Sequence, residues 1–403
     1  MQAYEIFKDL AIILVTAKLF GILARKLNAP QVVGEIVAGL ILGPSVLGIV
    51  NQSDFLSQMA EIGVILIMFS AGLGTNLKDL KKSGGKAFLI ACIGVLVPLI
   101  CGTLLYMAFY KTDGIGSESF FRAVFIGVIL TATSVSITVR TLSELGKLKS
   151  ELGTLIVSAA IIDDIIGVIV LTVIIGLGNG SGNEASIPVV LLKNVGFFAF
   201  VGVAGFLLYK LFKLILKHHS HTHRVPIFGL ALCMALAYIA EKFFGVADIT
   251  GAFAAGVILC NIRDSEYIEE KIDINSYMLF GPVFFAGIGL KTNLQSVSLT
   301  IIAFAICFVI VALVSKIIGC GITAKLCGYS KSDSLKVGVG MMTRGEVALI
   351  VAQKGLNVGL LDSAYFAPVI LLIITSSILT PIILKAVYNR DEKHLAVNVN
   401  KQP

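Results

Sequence analysis

Apolar runs about as long as a bilayer is thick recur along the whole sequence. Of its 403 residues, 57% are hydrophobic and only 14% are charged. A helix needs about 20 apolar residues to cross the hydrocarbon core of a membrane, and only helices and closed barrels satisfy their backbone hydrogen bonds there. The sequence therefore predicts an all-α polytopic membrane protein, with polar segments too short to form a soluble domain.

Polar residues, glycines and prolines divide the chain into thirteen predicted transmembrane helices. These spans cover residues 8–24, 31–49, 54–74, 86–109, 121–143, 150–177, 188–216, 225–241, 247–262, 274–290, 298–326, 333–355 and 364–387. Lysine and arginine are concentrated in the loops that follow odd-numbered spans. Because cytoplasmic loops carry the positive charge, we expect the N-terminus outside and the C-terminus in the cytoplasm. The net charge of +7 reflects this topology, and it indicates no nucleic-acid partner.

A short motif occurs at matching points of two spans. GLxTNL ends the third span at residues 72–77 and the tenth span at residues 289–294. The two spans are an odd number of crossings apart, so the second copy enters the membrane with the opposite orientation. Inverted repeats of this kind are typical of secondary transporters. The sequence therefore predicts a single transporter domain over residues 1–403.

The fifth and twelfth spans are paired by this repeat, and both have an unusual centre. The fifth contains a run of hydroxyl residues between Thr131 and Ser136, and the twelfth contains Gly338, Gly340 and Gly345. Hydroxyls compete for backbone hydrogen bonds and glycines weaken a helix. Small residues can also serve close helix packing alone. Because the two centres occupy matching positions, we expect both helices to be interrupted, as in transporters that bind ions at broken helices.

Charged residues inside the predicted spans are the main functional signal. Asp163 and Asp164 are adjacent in an apolar span, and Lys316 lies within another. An ionised side chain at the bilayer centre costs about 3 kcal/mol on insertion scales, so such residues usually meet a partner or a wet cavity. Neighbours on a helix point about 100° apart. We expect one aspartate to face the transport cavity and the other to pair with a cation such as Lys316, and sequence leaves open which.

Other chemistry finds little support in the sequence. The seven cysteines form no CxxC pair, and no nucleophile triad, P-loop or dinucleotide motif is present. We therefore expect neither an enzyme nor a bound cofactor. The histidines between His218 and His223 could bind zinc or nickel or respond to pH, but an incidental solvated loop is the favoured explanation, since flexible histidines without cysteine or carboxylate partners make poor metal sites.

Several motifs together resemble those of a known family. They are residues 33–45 in the second span, the Asp163–Asp164 pair, residues 250–256, and Thr343 to Glu346. With these motifs the chain resembles bacterial sodium/proton antiporters of the cation:proton antiporter family 2, close to the NapA type with the NhaA fold. The resemblance implies that Asp164 is the main carrier of ion and proton. It also implies a salt bridge between Asp163 and Lys316 that breaks during transport.

The same resemblance implies a fold and a mechanism. The interrupted helices would cross, placing Thr131 and Thr133 beside sodium, while Arg344 and Glu346 would balance the charge of the second broken helix. Such antiporters work as elevators in the cytoplasmic membrane. Here the core would be residues 86–177 with 298–387, and the scaffold that forms a homodimer would be residues 1–85 with 188–290.

The function implied is electrogenic exchange of Na⁺, or of Li⁺, for H⁺ across the membrane. Exchange of K⁺ for H⁺ is an alternative, because nothing in the sequence sets the size of the cavity. A cation channel or a sensory membrane subunit is an alternative of another class. The paired aspartates, without pore-lining carbonyl repeats, argue against a channel.

Overall fold

The computed structural model describes residues 3–27, 31–75, 77–148, 150–179, 187–219, 224–291 and 299–399, and these residues form helices joined by turns and loops. The helices up to the middle of the chain are α1 Ala3–Lys26, α2 Gln31–Leu42, α3 Asp54–Leu73, α4 Leu77–Phe109, α5 Glu118–Thr131, α6 Val135–Glu144, α7 Glu151–Asn179 and α8 Ile187–His219. The remaining helices are α9 Arg224–Ile239, α10 Asp248–Leu259, α11 Ser265–Asn275, α12 Gly281–Lys291, α13 Leu299–Leu326, α14 Lys331–Gly340, α15 Glu346–Asn357 and α16 Phe366–Val399.

Eight helical segments among the described residues are long and apolar enough to cross a membrane. They are Asp54–Leu73, Gly84–Phe109, Glu151–Gly178, Leu192–Leu214, Arg224–Phe244, Ser265–Lys291, Leu299–Leu326 and Ser363–Arg390. Two shorter apolar helices, α2 and α10, accompany them. The protein is thus an all-helical, multi-pass membrane protein, and the number of thirteen crossings stays a prediction.

Two spans begin differently from their predicted bounds. The span predicted from residue 274 instead continues backwards through a π turn, Ser276–Phe280, into α11, so an acidic segment is helical as well. At the start of α4, Gly84 has a φ of 61° and kinks the helix. Glycine adopts this left-handed conformation without a steric cost, and the long apolar part of α4 begins there.

The chain divides into two compact units. Unit 1 comprises Met1–Leu77 and Thr172–Ser296, and unit 2 comprises Lys78–Leu171 and Val297–Pro403. In unit 1, α2 packs against α1 and α12, while α3 packs against α10. In unit 2, α13 packs against α14 and α16, and α15 packs against α5.

Bare backbone contacts hold the helices of unit 1 together. A Cβ atom at Gly39 on α2 would lie 1.9 Å from the carbonyl oxygen of Ala286 on α12, and Gly289 on α12 meets the backbone of α2 equally closely. The Cβ of Gly72 on α3 would lie 2.9 Å from the Cα of Gly256 on α10. No side chain fits at these positions, since small residues are what allow helix backbones to approach this closely.

The core of unit 2 surrounds the chain segment that carries the paired aspartates. Its buried apolar side chains come from α4, α7, α13, α14 and α16 and include Ile90, Ile156, Ala160, Ala324, Val337 and Leu384. The polar groups described next lie within this unit.

Candidate functional site

Unit 2 contains two interrupted helices. The first interruption separates α5 from α6 at Ala132, which leaves the helical conformation with φ −57° and ψ 128°. The second separates α14 from α15 between Met341 and Gly345, where the backbone of Gly345 is extended. Both fall at the hydroxyl and glycine clusters that predict interruption. The four backbone groups at each new helix end lack partners within their own helices.

The two interruptions supply each other with those partners. The backbone N–H of Ser134 donates to the carbonyl oxygen of Thr343 at 3.0 Å, and the hydroxyl of Thr343 donates to the carbonyl of Ser134 at 3.1 Å. Thr138, one turn into α6, donates its hydroxyl to the carbonyl of Gly340 at 2.8 Å. A Cβ atom at Gly345 would lie 2.6 Å from the Ser134 hydroxyl. The two breaks therefore form one hydrogen-bonded unit that depends on close backbone approach.

We expect Thr138→Val to destabilise the protein by about 1–3 kcal/mol, the usual cost of leaving a buried polar group unsatisfied. The buried hydroxyl of Thr138 lies between the two interruptions, 2.9 Å from the hydroxyl of Thr343. Thr323→Val is the matched control, because its buried hydroxyl donates only within its own helix, to Gly319 at 2.7 Å. Thermal unfolding in detergent compares the two variants, and equal losses would show that Thr138 does not link the breaks.

Arg344 lies fully buried in the second interruption. Its guanidinium donates to carbonyl oxygens at the ends of both broken helices: Leu130 at 2.7 Å, Met341 at 3.4 Å, Met342 at 3.2 Å and Thr343 at 3.2 Å. Its backbone N–H donates to the hydroxyl of Ser376 on α16 at 3.0 Å. The carboxyl end of a helix carries about half a negative charge, so this cation neutralises the ends of α5 and α14 together.

The structure pairs Asp163 with Lys316. Oδ1 of Asp163 on α7 lies 2.5 Å from Nζ of Lys316 on α13, and both side chains are fully buried. Among the described residues, no group donates a hydrogen bond to the other oxygen, Oδ2 of Asp163. Asp164 is partly exposed, and its side chain points about 100° away around the helix. One aspartate is thus held by a cation, and its neighbour is partly exposed.

Of the two predicted threonines, Thr131 lies beside α7 and Thr133 lies beside the second interruption. The hydroxyl of Thr131 donates to the carbonyl of Val128 at 2.7 Å, and it would lie 3.8 Å from a Cβ atom at Gly167, one turn after Asp164 on α7. The hydroxyl of Thr133 donates to the carbonyl of Met341 at 3.4 Å, across the two breaks. A hydroxyl that donates its proton keeps two lone pairs. Thr131 therefore offers oxygen beside α7, and Thr133 offers it beside the second interruption.

Two predicted features fall outside what the structure describes. The side chain of Glu346 lies outside what the structure describes, so its role with Arg344 in balancing the charge of the second broken helix stays a prediction. The segment from His218 to His223 likewise lies outside the described side chains. Thr138 and Ser376 were missed by the sequence analysis. The one signal available for Ser376 was a polar residue within an apolar span, which does not reveal its contact with Arg344.

The broken helices and the buried ion pair define an ion-transporting membrane protein, and comparison with known proteins gives its family. The transmembrane sodium/hydrogen exchanger family matches residues 12–390. This chain belongs to that family. The finer assignment, to the NapA type of cation:proton antiporter family 2 with the NhaA fold, stays a prediction.

Relatives and a solved structure agree with this assignment. The chain is 35% identical to the Na⁺/H⁺-K⁺ antiporter GerN of Bacillus cereus, over 97% of this chain and 98% of that protein. It is 33% identical to the Na⁺/H⁺ antiporter of Enterococcus hirae, over 94% and 97%. The structure of a sodium proton antiporter from Methanocaldococcus jannaschii has the same fold, with a TM-score of 0.74 at 20% identity over 96% of this chain and 98% of that one.

Proposed function

We propose that this protein is a secondary antiporter that exchanges Na⁺, or Li⁺, for H⁺. The observation that carries the proposal is the fully buried Asp163–Lys316 ion pair in the same unit as two interrupted helices. Burying two charges costs several kcal/mol per ion in desolvation. A buried ion pair at membrane depth is therefore better explained by a role in transport than by a contribution to stability. The family and its sodium/proton antiporters support the same function.

Asp164 is the group that we propose as the carrier. It is partly exposed and adjacent to the paired Asp163, and the hydroxyl of Thr131 lies beside Gly167, one turn further along the same helix. Sodium prefers hard oxygen ligands, which a carboxylate and the hydroxyls of Thr131 and Thr133 would provide. Protons compete for the same carboxylate. Crossing the membrane with the carboxylate ionised and empty is costly, so the site crosses only when loaded, and exchange results instead of a leak.

Asp163 and Lys316 couple protonation to sodium binding in this proposal. The ammonium group of Lys316 compensates the charge of Asp163 while sodium is absent. When sodium binds at Asp164, the pair separates, which links the ion pair to the loading of the site. Exchange of two protons for one sodium moves net charge, so the proposed transport is electrogenic.

We further propose an elevator mechanism in the cytoplasmic membrane. Unit 2 contains the ion pair and both interruptions and acts as the moving core, while unit 1 is the scaffold of a homodimer. The proposed architecture has thirteen crossings in inverted repeats, with the two interrupted helices crossed. The lysine and arginine distribution supports an outside N-terminus and a cytoplasmic C-terminus.

The experiment that tests the function measures proton flux in reconstituted vesicles with a pH-sensitive dye. Sodium, lithium and potassium gradients are compared, with and without an imposed voltage. We expect flux with sodium and lithium, little with potassium, and a response to voltage. If a potassium gradient drives the largest proton flux, the transported cation is K⁺ and not Na⁺. Ion movement without proton movement would indicate a channel.

Lys316→Ala and Asp163→Asn should both retain some exchange but change its response to voltage. Each variant removes one charge of the buried pair, and an uncompensated partner costs about 3–5 kcal/mol. The remaining group therefore avoids its charged form, and the charge moved per cycle changes. The assay is sodium-driven proton flux at two imposed voltages over a range of pH.

Lys325→Ala is the matched control, since Lys325 is an exposed lysine on the same helix, α13. It should behave as wild type in every condition. If all three variants respond to voltage in the same way as wild type, the ion pair has no part in coupling.

A further inference from the structure

Two buried hydroxyls on α16 make no hydrogen bond within the part of the chain that the structure describes. They belong to Ser377 and Thr380, which are 7% and 0% exposed. Buried hydroxyls are nearly always satisfied by the protein or by ordered water. The neighbouring Ser376 follows this rule, because its hydroxyl accepts from the backbone N–H of Arg344 at 3.0 Å. Ser377 and Thr380 therefore point to a partner from outside the described protein groups.

A proline removes a third hydrogen bond at the same place. Pro381 lies inside α16. Because it has no N–H, the carbonyl oxygen of Ser377, four residues earlier, loses its usual donor in the helix. This carbonyl points along the helix axis toward the following turn, where Thr380 lies, and residues three apart share a helix face. One carbonyl oxygen and two hydroxyls thus come together on one side of α16.

The chemistry of these three groups decides which ligand suits them. All three are uncharged, and the backbone of a cation, Arg344, is bound to the adjacent Ser376, so the groups offer no negative charge to a sodium ion. An anion would be repelled by the carbonyl oxygen. A water molecule can donate to the carbonyl, donate to one hydroxyl and accept from the other. Three hydrogen bonds are what a buried water typically makes.

The two parts of α16 that meet at this place have different neighbours. Before it, Ser376 holds the backbone of Arg344 at the second interruption. After it, Leu384 and Tyr388 belong to the apolar core of unit 2. Water that enters the hydrogen-bond ladder of a helix allows the helix to bend. Hydration here would let each part of α16 keep its own contacts.

We propose that Ser377, Thr380 and the carbonyl oxygen freed by Pro381 bind one buried water molecule, which completes the hydrogen bonding of α16 beside the second interruption. This inference goes beyond the proposed function and does not depend on it. The water replaces the bond that Pro381 cannot make, and it satisfies both hydroxyls at once. Loss of one of its partners leaves a buried polar group unsatisfied, which destabilises the protein.

An experimental structure that shows ordered water tests the proposal directly. We expect density for one water about 3 Å from the carbonyl oxygen of Ser377 and from the hydroxyl of Thr380. The structure of Thr380→Val should lack this density or show it shifted toward the carbonyl. If wild-type α16 has the same conformation and side chains fill the space beside the three groups, the proposal is wrong.

Thr380→Val gives a test in solution whose sign separates a hydrated site from a dry one. Valine has nearly the shape of threonine but no hydroxyl. With water bound, the variant takes away one of its partners, so the unfolding temperature in detergent should fall by about 2 °C. In a dry site the substitution removes a hydroxyl that was already unsatisfied. An unchanged or higher unfolding temperature would therefore overturn the proposal.

Pro381→Ala tests whether the freed carbonyl belongs to the site. Alanine restores the N–H that bonds to the carbonyl oxygen of Ser377, so the water loses that acceptor. In this background, adding Thr380→Val should no longer lower the unfolding temperature. An equal loss with proline and with alanine at position 381 would show that the carbonyl and the hydroxyl share no water.

Thr141→Val is the matched control for this pair of backgrounds. Thr141 is a buried threonine of unit 2, and its hydroxyl donates within its own helix, to the carbonyl of Ile137 at 2.8 Å. Its effect on the unfolding temperature should be the same with and without Pro381→Ala. If Pro381→Ala removes the effect of Thr141→Val as well, the coupling reflects overall stability, and the proposed water has no support.

Discussion

Asp164→Asn should abolish sodium-driven proton movement, reducing it to the level of vesicles without protein. Asparagine is nearly the same size as aspartate, but it holds neither a negative charge for sodium nor a proton to exchange. Asp163 cannot replace it, because its Oδ1 is occupied by Lys316 at 2.5 Å. The measurement is dye-monitored proton flux under an imposed sodium gradient, at several values of pH.

Folding must be separated from transport in this experiment. Asp164 is partly exposed, so the variant should elute as wild type in size-exclusion chromatography and unfold at a similar temperature. Asp113→Asn provides the control, because Asp113 is an exposed carboxylate of unit 2 in the loop before α5. It should exchange normally. Normal flux from Asp164→Asn would refute the assignment of this residue as carrier.

Arg344→Met should cause the largest loss of stability, about 3–5 kcal/mol. The buried carboxyl ends of α5 and α14 lose the cation that compensates them, and several carbonyl oxygens lose their hydrogen-bond donor. Methionine fills a similar volume but donates no hydrogen bond. The carbonyl of Leu130, which accepts from the guanidinium at 2.7 Å, would then face the helix end unsatisfied. Thermal unfolding of the protein in detergent measures the effect.

Arg122→Met is the companion variant for that prediction. Arg122 lies on α5, is exposed, and pairs with Glu118 at 2.7 Å. An exposed ion pair contributes at most about 1 kcal/mol, so this variant should unfold close to wild type. If both arginine variants lose similar stability, Arg344 does not hold the ends of the broken helices together.

Local chemistry explains why sequence predicts the interruptions well. Hydroxyls from Thr131 onward and the glycines around Gly340 weaken a helix wherever they occur, so their effect is visible before any tertiary contact is known. Apolar length likewise predicts a multi-pass protein. Span boundaries are harder, because Gly84 kinks α4 and the π turn after α11 carries the helix past its predicted start.

Contacts between helices that are distant in sequence decide which aspartate pairs with Lys316, a choice that the residue pattern left open. The choice between Asp163 and Asp164 depends on which face of α7 meets α13, and no local pattern contains that rotation. Thr138 gains its role only because another helix comes within contact distance.

The backbone contacts of unit 1 have a mechanical consequence. Where Gly39 meets α12 and Gly72 meets Gly256, no rotatable side chain lies between the helices to absorb a displacement. A displacement of one helix is therefore transmitted directly to the next through rigid peptide groups. Unit 1 should therefore bend only where its helices end or at the π turn Ser276–Phe280.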